Sequence, residues 1–377
     1  MLIGIDGSRA FGEGRTGTEN YSFQLIRQMS LIDAENQYLI YIQNTQLSAV
    51  SSQPWPGNFE FKVIGLPRLW TQLGLAIRTF IDPIDVLFIP SHTLPLVRRP
   101  GLRTVITVHD LGAEYLPGLH QLKQILYLKL MTHYQIKTAS RVIAVSESTK
   151  KDLVKRVGIR AGKVEVVYEG IDRQLFRRLP IDTVNSNLER LGLKRGNYFL
   201  FVGTIQPRKN LERLIKAFAI FSSRRLKEGD DFKLVLGGGK GWKTDEIYSL
   251  APKLGIEKKV VFLGRISDND LAVLYSGALA LTYPSLFEGF GLPIIEAMAL
   301  GCPVITSNLS SMPEVAGGAA LLVNPYEESE IAEGMGKIYN DDTLRSSLIK
   351  KGNIRSSNFD WKTAAERTIE ILTQAGV

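Results

Sequence analysis

The sequence predicts an α/β protein built from doubly wound, Rossmann-like domains, and three observations predict it. Short apolar runs alternate with helical patterns along the whole chain. Each run is apolar at both odd and even positions, the signature of parallel strands covered by helices on both faces. The chain of 377 residues is too long for one core, and no internal repeat divides it. In the first half MLIGID, YLIYIQ, FKVIGL, DVLFIP, RTVITVHD and RVIAVS read as strands; in the second, YFLFVGT, FKLVLGG, VVFLGR, ALALTYP and PVITS do so. Between residues 177 and 197 (RRLPIDTVNSNLERLGLKRG) polar, Pro and Gly residues outnumber apolar ones, which places a boundary there. The expected units are residues 1–180, residues 181–360, and a last helix at 361–377 that follows the polar stretch SSNFD.

Composition narrows the function classes. Hydrophobic residues make up 44% and charged residues 22%, as in ordinary globular proteins. No apolar run approaches the roughly 18 residues that a membrane span needs. The start MLIGIDG enters a strand at once, without a charged region or cleavage site, so a cytoplasmic protein is expected. The one cysteine, Cys302, excludes an internal disulfide and reads as a buried small hydrophobe. A net charge of +8 calls for an anionic partner. Nucleic acid is disfavoured, because the chain has no zinc-ligand spacing and no basic arm. The segment 113–139 sets Lys123, Lys129 and Lys137 among leucines and isoleucines. It fits a helix lying on the inner face of an anionic membrane, or equally one whose apolar side packs on the core while its lysines are solvated.

The densest chemistry lies at 287–306, FEGFGLPIIEAMALGCPVIT. A strand stops at Pro284, Gly289 and Gly291 permit a turn, Pro293 suits a first helical position, and Gly301 ends the helix. Such a helix N-terminus attracts phosphate through its unpaired N–H groups and its dipole. Glu288 falls on the loop above the strand's carboxyl end, where open α/β sheets bind ligands. Glu296, inside the first turn and a half, can accept hydrogen bonds from a ribose. The plainer reading makes Glu288 a solvated loop residue and Glu296 a complement to the helix dipole. In GTIQPRKNL, Arg208 and Lys209 follow a strand on a loop that leads into a helix, where neighbouring cations can neutralise a growing diphosphate charge. TVHDL puts His109 and Asp110 at a strand end; His92, His120 and His133 read as structural. In the glycine-bearing loop GEGRTGTENYS at 12–22, Gly17 is the candidate for closest backbone approach to a ligand.

Three patterns are set aside. Asp268-x-Asp270 reads as part of a helix N-cap with Ser267. LGGGKGW at 236–242 lacks the hydroxyl residue of a Walker loop, and Lys240 is retained only as a candidate neighbour of a diphosphate. No GxGxxG follows the first strand, so the fingerprint of a dinucleotide oxidoreductase is missing.

The 287–306 stretch resembles the Glu-x7-Glu signature of retaining nucleotide-sugar glycosyltransferases of the GT-B fold, a family that includes bacterial mannosyl- and glucosyltransferases. VGTIQPRKNLERLIKAF (202–218), FLGRISDNDLAVLYSGA (262–278) and SSMPEVAGGAALLVNP (310–325) are similar to its C-terminal domain. RVIAVSESTKKDL (141–153) and VVYEGIDRQLF (166–176) are similar to its inter-domain region. Gln206 departs from the glutamate usual in the family. The resemblance implies two Rossmann-like domains facing across a cleft, with a final helix crossing back to the first. It implies transfer of a hexose, mannose first, from a GDP-sugar or UDP-sugar to a hydroxyl of a glycan or lipid-linked acceptor, with retained configuration. The catalytic set is then Glu288, His109, Arg208 and Lys209. Donor contacts come from Gly17, Arg208, Lys209, Arg265, Ile266, Glu288, Phe290, Gly291, Leu292 and Glu296. No cofactor and no tight metal site are expected, since two cations and a helix terminus neutralise the diphosphate. The alternatives are a GT-B-like sugar-nucleotide epimerase or phosphorylase, or a non-catalytic carbohydrate- or membrane-binding protein.

Overall fold

A computed structural model describes residues 1–12, 17–66, 68–91, 93–111, 132–227, 229–242 and 244–376. The expectations for His92, His120 and most of the 113–139 segment lie outside the described residues. The chain forms two compact units, Met1–Gly170 with Asp360–Val377, and Ile171–Phe359.

The first unit is a parallel sheet of seven strands in the order β3-β2-β1-β4-β5-β6-β7. They are β1 (Leu2–Asp6), β2 (Gln37–Gln43), β3 (Phe59–Ile64), β4 (Val86–Ile89), β5 (Arg103–Val108), β6 (Arg141–Ala144) and β7 (Val164–Val166). Every residue of β4 is buried, as are five of the six in β5, so both faces are covered. The order reverses between β1 and β4, which makes the carboxyl ends of these strands a topological switch point. The last helix, Trp361–Gly376, buries Trp361, Ala364, Ala365, Thr368, Ile371, Leu372 and Ala375 at helical spacing. It packs on the Gly17–Ile32 helix and reaches β4, β5 and β6. A Cβ at Gly170 would stand 2.2 Å from the Trp361 backbone nitrogen, so only glycine lets the chain pass this helix.

The second unit is a parallel sheet of six strands in the order β10-β9-β8-β11-β12-β13. They are β8 (Tyr198–Val202), β9 (Lys233–Gly237), β10 (Val260–Gly264), β11 (Ala280–Tyr283), β12 (Val304–Ser307) and β13 (Leu321–Val323). Its switch point lies between β8 and β11. The polar stretch 177–197 contains the helix Ile181–Arg190, which buries Val184 and Leu188 and pairs Arg190 with Asp270 of the Asp268–Gly277 helix. It belongs to the second unit, and the two units part at residues 170/171. Among the described residues no helix is long and apolar enough to cross a membrane.

Candidate active site

At the switch point of the second unit, the loop after β8 and the loop after β11 bring two cations onto one carboxylate. Pro207–Lys209 forms a single 3-10 turn, and Asn210 follows it in the left-handed region at φ 63°. Asparagine tolerates that conformation better than most residues. Its buried side chain donates to the carbonyls of Pro284 (3.0 Å) and Pro325 (2.6 Å) and accepts from Arg213 (3.0 Å). Asn210 thereby ties the loop after β8 to the ends of β11 and β13. The arginine and lysine just before it are fixed in place by this clamp.

Lys209 Nζ donates to Glu288 Oε1 and to the Tyr283 hydroxyl, each at 2.6 Å. Arg208 Nη1 donates to Glu288 Oε2 at 3.0 Å and to the Phe287 carbonyl at 3.2 Å. The Tyr283 hydroxyl donates to the same Glu288 Oε1 at 2.8 Å. Glu288 and Lys209 are only 6% and 7% exposed. Burial alone would push the Glu288 carboxyl up; Lys209, then Arg208, outweigh it and hold the carboxyl at about 2. Burial and the Glu288 charge push the Tyr283 hydroxyl well above its ordinary range, so it stays a donor. The three charged groups sum to one positive charge, held by a tight network at the strand ends.

The 288–292 loop is pinned from the other side. Ser310, itself left-handed at φ 55°, donates to the Glu288 carbonyl at 2.6 Å. Ser311 donates to the carbonyls of Phe290 (2.6 Å) and Glu288 (3.0 Å). Gly291 stands at φ 113°, where a residue with a Cβ is strained, and caps the helix Leu292–Ala299. Pro293 is therefore the second helical residue, not the first, because the glycine turn begins the helix one residue earlier. Phe290 is buried edge-to-face on Phe359. Glu296, half-buried on this helix, accepts from the Tyr275 hydroxyl at 2.9 Å. Gly301 follows the helix at φ 75°. Burial pushes the Cys302 thiol up to about 12, so it behaves as a small apolar residue.

Two further loops border the same strand ends. Arg265 and Ile266 follow β10, and Ile266 packs so close to β9 that a Cβ at Gly237 would stand 2.0 Å from its Cδ1. The loop 237–242 is zipped to the loop after β8 by Ile205 N–H to Gly239 O and Gly241 N–H to Ile205 O, both at 3.0 Å. The Trp242 indole donates to Gln206 Oε1 at 3.2 Å. Lys240 is exposed and pairs with Asp245. Ser267 caps its helix, with Asp270 N–H donating to its hydroxyl, so the Asp268-x-Asp270 pattern is a cap.

His109 and Gly17 belong to the first unit. His109 Nε2 lies 2.9 Å from the Pro90 carbonyl, an oxygen that can only accept, so Nε2 carries a hydrogen. Its Nδ1 faces the buried Glu169 carboxylate at 3.4 Å, and its ring meets Tyr21 edge-on. Gly17 opens its helix, and a Cβ there would meet no atom within 4 Å. The fold itself does not demand glycine at that position.

Sequence reasoning noted Asn210 only as the end of the Arg-Lys-Asn run, and passed over Tyr275, Tyr283, Ser310, Ser311 and Glu169. A partial signal existed for two of them: Asn210 closes the Arg-Lys-Asn run, and Tyr283 ends a strand directly before a proline. The others gain their meaning only from the fold.

The chain is similar to known proteins along most of its length. Residues 185–355 match the family model "Glycosyl transferases group 1", and residues 33–175 match "Glycosyltransferase Family 4". The chain is 33% identical over 327 residues to the O-antigen chain mannosyltransferase RfbU of Salmonella typhimurium, covering 84% of this chain and 85% of the relative. It is 29% identical over 267 residues to O-antigen chain mannosyltransferase B of Escherichia coli, covering 71% and 69%. Among solved structures, HepE of Anabaena in complex with UDP and glucose superimposes with a TM-score of 0.77 at 20% identity, covering 99% of both chains. At that identity the likeness speaks to the fold alone, which is GT-B. With two Rossmann-like sheets and a mannosyltransferase relative matched over most of both chains, this protein belongs to the glycosyltransferases of the GT-B fold.

Proposed function

We propose that this glycosyltransferase moves mannose from GDP-mannose to a hydroxyl of a glycan or lipid-linked acceptor, with retention and without a metal ion. The observation that carries the reading is the buried Arg208–Lys209–Glu288 network at the β8/β11 switch point. The mannosyltransferase relatives support the sugar.

In the reaction the bond from the anomeric carbon to the diphosphate oxygen breaks, a bond to the acceptor oxygen forms on the same face, and the acceptor's proton passes to the departing diphosphate oxygen. Negative charge grows on the leaving diphosphate. Arg208 and Lys209 are held in advance where such charge can be met, so little reorganisation is needed as the bond lengthens. The N-terminus of the Leu292–Ala299 helix adds N–H donors and the positive end of its dipole. Glu288 acts first as the counter-ion that keeps both cations ordered, and second as a negative charge beside the anomeric carbon as that centre turns positive. Glu296, oriented by Tyr275, takes the ribose hydroxyls. Arg265 and Ile266 border the base, and the backbone at Phe290, Gly291 and Leu292 positions sugar and phosphate. His109 is held by the Pro90 carbonyl and faces Glu169, and it takes no proton from the acceptor. Gly17 leaves room for a close backbone approach.

The test is calorimetric titration with GDP and UDP in the presence of a chelator. Tight GDP binding, weakened at least about tenfold in Arg208→Ala and in Lys209→Ala, is expected. Preference for UDP would keep the chemistry and replace the donor. Normal nucleotide binding in both variants would remove the diphosphate role from the pair. If the folded protein bound neither nucleotide, a phosphorylase or a non-catalytic binder would be the better account.

A further inference from the structure

The loop that carries Glu288 and Phe290 is braced from behind by an arginine outside the Arg208–Lys209–Glu288 network. Arg355 lies in the last turn of the helix Asp342–Ser356, in the second unit. Its Nε donates to the Val315 carbonyl at 2.9 Å and its Nη2 to the Glu314 carbonyl at 2.7 Å. Both carbonyls belong to the end of the five-residue helix Met312–Ala316, where a helix leaves its acceptors without internal donors. The chain turns away at Gly317, φ 54°, and a Cβ there would stand 2.5 Å from Arg355 Nε. Glycine thus lets the guanidinium reach the helix end. The same guanidinium lies over the Phe359 ring, 4.7 Å from its centroid. Phe359 in turn meets Phe290 edge-to-face at 5.6 Å.

Two routes therefore lead from Arg355 to one loop. The first runs through the short helix. Ser311 is its N-cap residue, yet the Ser311 hydroxyl is spent on the Glu288 and Phe290 carbonyls instead of on the helix. A helix of five residues does not hold itself by its own hydrogen bonds, so the contacts at its two ends set its place. The second route runs through Phe359 to the Phe290 ring. Both rings are buried, and in a close-packed interior neither shifts without displacing its neighbours. Lysine at 355 would keep the charge but lack the planar fork that spans two carbonyls while stacking on a ring.

We propose that Arg355 is a positioning residue for the transfer reaction. Through the Met312–Ala316 helix and through Phe359 it fixes the Glu288–Leu292 backbone where the sugar and phosphate of the donor are held. The inference rests on the reading of that backbone as the sugar–phosphate contact. Arg208 and Lys209 are tied down separately by Asn210, so loss of Arg355 costs turnover more than nucleotide affinity.

Release of GDP from GDP-mannose and calorimetric titration with GDP test it, with the full chain and below the melting midpoint of every variant. Arg355→Lys should lower kcat at least about tenfold and raise the Kd for GDP less than about threefold. Phe359→Leu removes the ring but keeps the carbonyl bonds, and should show the same split at smaller size. Leu188→Ala, at a fully buried leucine of the Ile181–Arg190 helix, lowers the midpoint by leaving a cavity and should keep kcat. Ser311→Ala should also lower kcat. Arg355→Lys/Ser311→Ala should fall short of the product of the two single losses by at least about threefold, because both act through one helix. Hydrogen exchange at residues 288–292 needs no substrate, and should be about tenfold faster in Arg355→Lys than in wild type. If wild type leaves GDP-mannose intact while Arg355→Lys speeds that exchange, the donor assignment fails and the brace stands. Unchanged exchange would overturn the proposal. So would wild-type turnover in Arg355→Lys at a lowered midpoint, or a kcat loss no larger than that of Leu188→Ala.

Discussion

Replacing Glu288 by glutamine keeps the shape of the side chain and removes its charge, leaving Lys209 and Arg208 buried or half-buried without their shared anion. The magnitude follows from the carboxyl itself. It titrates at about 2 where an ordinary glutamate titrates at 4.5, and at about 1.4 kcal/mol per pH unit the folded state gains about 3 kcal/mol from the ionised form. Because the folded value is the lower one, that stability is fully present above pH 4.5 and is lost as pH falls toward 2. Denaturant unfolding of wild type and Glu288→Gln across pH 2 to 7 reads both effects. The variant should be about 3 kcal/mol less stable at pH 7 and should show a shallower acid slope, the difference closing near pH 2. GDP binding separates the counter-ion role from a general loss of fold. An anionic ligand replaces the missing charge, so Glu288→Gln should bind GDP at least as tightly as wild type while turnover falls. Equal stability of the two proteins over the whole pH range would refute the reasoning.

The other predictions concern residues that hold the site in place. Asn210→Gly retains the left-handed backbone but leaves the Pro284 and Pro325 carbonyls without their donor; a loss of about 2–4 kcal/mol in chemical unfolding is expected. The same variant should weaken GDP binding, because the Pro207–Lys209 turn is no longer tied to β11. Tyr275→Phe removes the donor to Glu296 and should raise the Kd for GDP about fivefold, with kcat nearly unchanged. A fall in kcat without a change in Kd would contradict the ribose role of Glu296.

The fold was legible wherever strands were long and apolar. All eleven runs read from the sequence became strands, because a parallel strand covered on both faces leaves a continuous hydrophobic mark. The two strands missed, Val164–Val166 and Leu321–Val323, have three residues each and sit at sheet edges. Glu165 interrupts the first, and the second is a short apolar run between a glycine pair and Asn324-Pro325, too short to mark a strand by itself. The helix Ile181–Arg190 hid in a polar stretch for a related reason: only Val184 and Leu188 face inward.

The site was legible to the extent that it is written in turn chemistry. Glycines, a proline and neighbouring charges at 203–210 and 287–293 locate two loops at strand ends, and Glu288, Arg208 and Lys209 meet there. That Glu288 is the buried centre of the cluster was not legible, since burial depends on the closure of β8 against β11. Tyr283, Ser310 and Ser311 are ordinary residues in sequence, and only the hydrogen bonds they make across the sheet give them a role. His109 stands out in the sequence by its place at a strand end and by the family resemblance. Its engagement with Pro90 and Glu169 depends on contacts 19 and 60 positions away, which no local pattern reveals.

Following GDP-mannose by proton NMR with the purified protein and a chelator tests the central claim most directly. The account predicts release of GDP together with a first-formed mannose product of α configuration, and loss of that release in Arg208→Ala. A folded, nucleotide-binding protein that leaves GDP-mannose and UDP-sugars intact with glycan acceptors present, or that forms the β product first, would contradict it.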